Sequence, residues 1–144
     1  MQETHIEAIE RTIHKTNEWL RDIQARMGAV DRQHAYQALR ATLHVLRDRL
    51  PLDEVAQFGA QLPALIRGIY YEGWTPAYTP ARLRTLDEFL GAVAAEANQS
   101  ALDPERAARA VLGVLAERVT RGEIADVAAC LPAPIRDLFP LATA

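Results

Sequence analysis

The sequence predicts an all-α fold: a four-helix unit, long, long, short and short, that is duplicated and packs as one pseudo-twofold helical bundle. Three observations predict it. Apolar residues recur at steps of three and four through every long segment, and no stretch alternates as a strand would. Arg40 to Tyr70 returns without gaps as Arg109 to Phe139, 69 positions later, with Arg40, Leu43, Leu46, Arg49, Glu54, Leu62, Pro63, Ile66 and Arg67 all reappearing. Pro63 and its counterpart Pro132 each open a short helix, because proline is tolerated in the first helical turn.

In chain order, Ile6, Ile9, Ile13, Thr16, Leu20, Ile23 and Met27 form an a/d stripe on a first long helix, widened by Trp19. Gly28 ends that helix, since glycine accepts a left-handed C-terminal cap. Asp31 caps a second long helix whose buried face is Ala35, Leu39, Leu43, Leu46 and Leu50, and Pro51 stops it. Two short helices follow, from Asp53 to about Gln61 and from Pro63 through Tyr70. Gly73, Pro76 and Pro80 make Tyr70–Pro80 a loop, with Thr79 and Pro80 as the start signal of the next helix. That helix runs to about Ala97 on Leu83, Leu86, Leu90, Val93 and Ala97, a stripe that overlays Ile13 to Met27 at a shift of 70. Asp103-Pro104 opens the next long helix, Gly122 is expected to break it, and Glu123–Leu131 and Pro132–Pro140 close the second copy. The expectation is one domain, 1–144, built of repeats at about 10–78 and about 79–140.

The wording of these segments carries a resemblance. RATLHVLRDRLPLDEVAQFGAQLPALIRGIYYEGW, followed by the second copy with its Leu-Pro, resembles the bacterial domain of unknown function family 2267. The likeness spans roughly Trp19 to Pro140, and QLPALIRGIYYEGW is its most specific part. It implies an all-helical, soluble protein and supplies no reaction, cofactor or catalytic residue to carry over.

Composition narrows the function classes. A hydrophobic fraction of 49% with 24% charge is that of a soluble globular protein. A net charge of −3 argues against general nucleic-acid binding, which needs many cations on phosphate. Pro132 and Pro134, with Arg136 beside Asp137, would make a poor recognition helix. The lone Cys130 cannot form an internal disulfide, so a reducing cytoplasm is the expected setting. No apolar run is long enough to span a membrane, and the N-terminus lacks an apolar signal segment. No cofactor is expected.

Two sets of residues are candidate binding sites. Arg67, Tyr70, Tyr71, Glu72 and Trp74 combine aromatics with a cation, the residue types that dominate interfaces. Tyr71 and Trp74 have no counterparts in the second copy; the plainer alternative is that they cover the seam between the halves. Arg67 and Arg136 are expected to bond the carbonyl end of a neighbouring helix or to pair with Glu54 and Glu123. The second set, Arg40, His44 and Arg47 with Gln33 and Gln37, shares one helix face. His44 becomes Gly113 and Arg47 becomes Ala116, so the face is expected to be covered in the second half and open in the first. An open face would take an anionic ligand or an acidic partner; the alternative is a solvated surface on which His44 pairs with Asp48.

No metal site is expected: Glu10, His14 and Glu18 align on one helix, but Glu-x-x-His is absent. No nucleophile or phosphate loop is recognisable, and Cys130 reads as an inert thiol. The sequence thus favours a non-catalytic helical module acting through protein–protein contact or as a homodimer, because Ile6 and Ile9 extend the first stripe beyond what the second copy needs. The alternative is a small-ligand binder or enzyme with a pocket between the repeats near Tyr70–Trp74.

Overall fold

The computed structural model describes residues 5–98 and 102–140. The ends of the expected domain and the connection at 99–101 lie outside the described residues. Among those described there are eight α-helices, one 3-10 turn at Pro76–Tyr78 and no strand, as the helical periodicity predicts. In order they are α1 (Glu7–Arg26), α2 (Arg32–Arg49), α3 (Leu52–Gly59), α4 (Ala64–Tyr71), α5 (Leu86–Ala97), α6 (Pro104–Arg118), α7 (Arg121–Ala129) and α8 (Ala133–Arg136).

Two helices form the centre. Ala41 through Arg47 of α2 are buried without a break, as are Ala110 through Leu115 of α6. A helix buried on every side belongs in the middle of a bundle. Small buried residues suit close helix packing: Ala35, Ala38 and Ala41 on α2, and Ala107 and Ala108 on α6. α1 and α5 flank them, α2 packing on α1, α4, α5 and α6, and α6 on α1, α2, α5 and α7. The short α3 and α7 meet each other. Leu39, Leu43, Leu46 and Leu112 are fully enclosed, each contributing about 2 kcal/mol by leaving water.

The helix starts are fixed by side chains. Asp31 accepts the His34 N–H at 2.8 Å to cap α2, and Asp103 accepts from the N–H groups of Glu105 and Arg106 to cap α6. α4 has no cap of its own, and Thr12 of α1 supplies one by accepting the Leu65 N–H at 2.9 Å. Two expected boundaries are corrected. Thr79 does not start α5, because its hydroxyl accepts from the Trp74 indole at 2.9 Å. Thr85 and Glu88 form a reciprocal capping box instead, which leaves Leu83 in the preceding extended segment. Nor does Gly122 break α6: that helix ends at Arg118, and Thr120 caps α7 with Gly122 inside its first turn.

The apolar stripe of α1 divides in two. Thr16, Leu20, Ile23 and Met27 are buried, whereas Ile6, Ile9 and Ile13 are 57%, 53% and 47% exposed.

Arg67 and Arg136, 69 positions apart, make matching contacts. Arg67 donates to the carbonyls of Gly59 at 2.9 Å and Leu62 at 2.7 Å; Arg136 donates to those of Ala128 at 3.1 Å and Leu131 at 2.9 Å. Each fastens the carbonyl end of one short helix to the helix after it. Of the two expected roles, the structure has the carbonyl bond. Arg67→Ala and Arg136→Ala are each expected to lower the unfolding free energy in urea by about 1–2 kcal/mol, and the double variant by the sum. A double variant no less stable than either single one would mean that these fasteners do not act separately.

Candidate functional site

The polar row of α2 turns into the protein from Arg40 onward, while Gln33 stays exposed and Gln37 half-buried. His44 is 2% and Arg47 4% exposed, so the expectation of an open or solvated face is overturned for both. Of Arg40, His44 and Arg47, only Arg40 reaches solvent, about 30% exposed at its side chain. The reason is the C-terminal ends of α4 and α5, which descend on this row and bring unbonded carbonyls with them. Arg47 Nη1 donates to the carbonyls of Tyr70 at 2.8 Å and Glu72 at 2.9 Å, and its Nε to Asp48 Oδ1 at 2.9 Å. Arg40 donates to the Glu96 carbonyl at 3.3 Å and to Glu72 Oε1 at 3.2 Å. His44 stands between them, Nδ1 2.6 Å from Glu96 Oε1 and Nε2 2.6 Å from the Ile69 carbonyl oxygen. The ring thus bridges the ends of the two helices, one nitrogen toward each. The expected pairing with Asp48 is replaced by that with Glu96.

The aromatic set divides between core and surface. Tyr70 is fully buried, and its hydroxyl donates to the Val55 carbonyl at 2.8 Å. Burial first, then the neighbouring Tyr71, pushes its phenol well above the ordinary range. Its ring meets Phe58 edge-on at 5.6 Å and Tyr71 at 4.9 Å, and Tyr71 continues to Trp74 at 5.8 Å. The Tyr71 hydroxyl lies so close over Gly59 that an added Cβ would sit 2.5 Å from it, which explains a glycine in α3. These ring contacts join residues of the first half of the chain. Tyr71 and Trp74 are half-buried, while Glu72 and Arg67 are exposed.

A second polar meeting lies where α3 touches α7. Glu54 and Glu123, 69 positions apart, each place Oε2 in a buried position without a hydrogen-bond donor. Burial, followed by the side chain and charge of Glu54 and the charge of Asp126, pushes the Glu123 carboxyl from 4.5 up to about 7. A proton between the two acids satisfies both orphaned oxygens at once. Nearby, burial and the charges of Glu54, Asp126 and Asp53 outweigh Arg49 and raise the Cys130 thiol, keeping it protonated and unreactive.

Among the grooves beside the central helices, two correspond to each other in sequence. One, of about 280 Å³, is lined by Tyr36, Gln37, Arg40 and Glu96. The other, of about 540 Å³, is lined by Asp103, Glu105, Arg106, Arg109 and Arg26, over Ala110, Leu138 and Pro140. The lining residues correspond in sequence: Tyr36 with Glu105, Gln37 with Arg106 and Arg40 with Arg109 at 69 positions, and Arg26 with Glu96 at 70. The larger groove was not among the sequence candidates. Its signal was present in the exchange of Arg26 for Glu96, which the comparison of apolar stripes passed over. Among the described residues, no three His, Cys, Asp or Glu side chains gather as a metal would require, and no helix is long and apolar enough to cross a membrane.

Residues 16–138 match the family DUF2267, described as an uncharacterized conserved protein. That is well over half of the chain, and the chain belongs to this family. No curated protein matches the sequence.

The Glu54–Glu123 meeting predicts a pH dependence. Glu123 binds its proton more tightly folded than unfolded, so between about 4.5 and about 7 the native state holds the extra proton. Its contribution to stability is therefore present at low pH and lost as pH rises through about 7. Glu123→Gln keeps a donor facing Glu54 at every pH. The melting temperature of the variant should exceed that of the parent at pH 8 and lose the downward slope between pH 5 and 8. Parallel pH profiles would refute the shared proton.

Proposed function

We propose that the chain, as a member of DUF2267, is a non-catalytic helical module of the reducing cytoplasm that works by self-association through the first turns of α1. In this reading it is one domain, a duplicated four-helix unit with repeats at about 10–78 and about 79–140 around a pseudo-twofold axis. The matching fasteners at Arg67 and Arg136, the meeting of α3 with α7 and the paired grooves support the duplicated arrangement. Arg47, Arg67 and Tyr70 direct hydrogen bonds to backbone carbonyls, which supports a framework role for them.

The observation that carries the proposal is the exposed half of the α1 stripe. Ile6, Ile9 and Ile13 continue the buried seam of Leu20, Ile23 and Met27 without a change of register, and Leu65 of α4 adds a further exposed apolar side chain, at 41%. The second copy has no counterpart of Ile6 and Ile9. A seam of this kind, extended past the end of its own bundle, is covered when two copies lie side by side. The charges suit an antiparallel pair, because Glu7 and Glu10 in the first turn are followed by Arg11, His14 and Lys15. Each acidic turn then faces the partner's basic one.

Light scattering after size exclusion tests this directly. The parent protein is expected to give the mass of a dimer at high micromolar concentration. Ile9→Glu with Ile13→Glu should give a monomer with an unchanged melting curve at low concentration, since both side chains lie outside the core. A parent that stays monomeric, or a charged variant that stays dimeric, overturns the proposal.

A further inference from the structure

The larger groove has a counterpart in the same chain that already holds an acid. In the smaller groove Glu96 lies with Oε1 2.6 Å from His44 Nδ1 and 3.8 Å from Arg40 Nη1. At the corresponding places beside α6 stand Arg26, Gly113 and Arg109. A Cβ on Gly113 would collide with the Arg26 guanidinium, so the missing imidazole is replaced by an arginine laid across the helix. The acid is gone, a cation has taken its place, and the groove is wider. We infer that this groove is a docking site for an acidic segment of a protein partner, whose carboxylates meet Arg26, Arg106 and Arg109 as Glu96 meets Arg40.

The acids already present leave room for this. Glu105 pairs with Arg109 at 2.9 Å one turn along α6, but both side chains are half exposed, and such a pair holds weakly and exchanges easily. Asp103 is occupied in capping α6. Glu117 pairs with Arg26 from an exposed position. The hydrogen bond that the Arg106 side chain donates runs from Nη1 to the Met27 carbonyl at 3.3 Å, and a guanidinium carries five donors in a planar fork suited to a carboxylate. The apolar floor of Ala110, Leu138 and Pro140 selects a peptide over a bare inorganic anion, because it offers contact to aliphatic side chains between the acids. With a net charge of −3 on the whole chain, the attraction is local to the groove and falls with salt. It does not depend on the α1 contact.

Fluorescence anisotropy with a fluorescein-labelled peptide of alternating Glu and Leu tests it, performed also on the Ile9→Glu, Ile13→Glu variant to separate it from self-association. Saturable binding is expected, weakened about tenfold by Arg106→Ala, further by Arg106→Glu, and unchanged by Arg121→Ala on α7. The same peptide with Gln for Glu should not bind. Amide shift changes in the parent protein, confined to residues near 26, 105–110 and 138–140, would support the site even if an arginine variant folds poorly. Absence of binding, equal binding by the Gln peptide, insensitivity to Arg106→Glu, shift changes elsewhere, or displacement by inorganic phosphate at matched ionic strength would each overturn the assignment.

Discussion

The arrangement depends on a buried helix that is not wholly apolar. α2 is enclosed on every side from Ala41 to Arg47, yet that stretch carries His44 and Arg47 inside, with Arg40 at its edge. Helix ends expose carbonyls that need donors, and the negative end of the helix dipole favours cations there. The row provides both to α4 through the carbonyls of Ile69, Tyr70 and Glu72, and to α5 through that of Glu96. Removing Arg47 would leave the carbonyls of Tyr70 and Glu72 without their donor, at a cost of about 1–3 kcal/mol. An apolar row of the same size could be as stable. What the polar row adds is direction: carbonyls and donors meet in one orientation, whereas leucines would accept several.

Much of the fold was legible because helical periodicity and punctuation agree along the chain. The caps at Asp31 and Asp103, the turns at Pro63 and Pro132, and the stripes of the long helices need only local chemistry. Boundaries failed where two local signals competed. Thr79-Pro80 and Thr85-x-x-Glu88 both open helices, and the outcome turned on Trp74, whose indole claims the Thr79 hydroxyl. No windowed pattern contains that contact. The burial of α2 on its polar face was also out of reach, since Arg40, His44 and Arg47 at helical spacing describe a solvated face equally well. What distinguishes the cases is whether another helix ends there, and that is a property of the tertiary arrangement.

The candidate residues were found by type and then assigned different work by the structure. Tyr70, Arg47 and Arg67 were singled out because Tyr and Arg dominate binding surfaces, but the same polar handles bond backbone carbonyls of the protein itself. Glu54 and Glu123 were expected to answer arginines and instead face each other. Matched positions in a sequence duplication become neighbours when the copies meet about an axis, and like residues then oppose like. This follows from the proposed symmetry and is invisible in either copy alone.

The same reasoning explains how the two grooves diverged. His44 buried beside α5 requires an acceptor that can also carry charge, and Glu96 supplies it. Once the counterpart of His44 is Gly113, an acid at the place of Glu96 would keep only the counterpart of Arg40, Arg109, to face. Arg26 stands there instead, long enough to lie over the glycine and reach Glu117. The exchange at 44/113 and the exchange at 96/26 are therefore one change in two parts. A third part accompanies it. Arg47 becomes Ala116, so the cation that binds the last carbonyls of α4 has no equivalent, and α8 has four residues where α4 has eight. Arg109 bonds the Asp137 carbonyl at 3.3 Å, from the edge of the groove. The three exchanged positions thus accompany a shorter helix and a larger groove whose wall carries Arg26 in place of an acid.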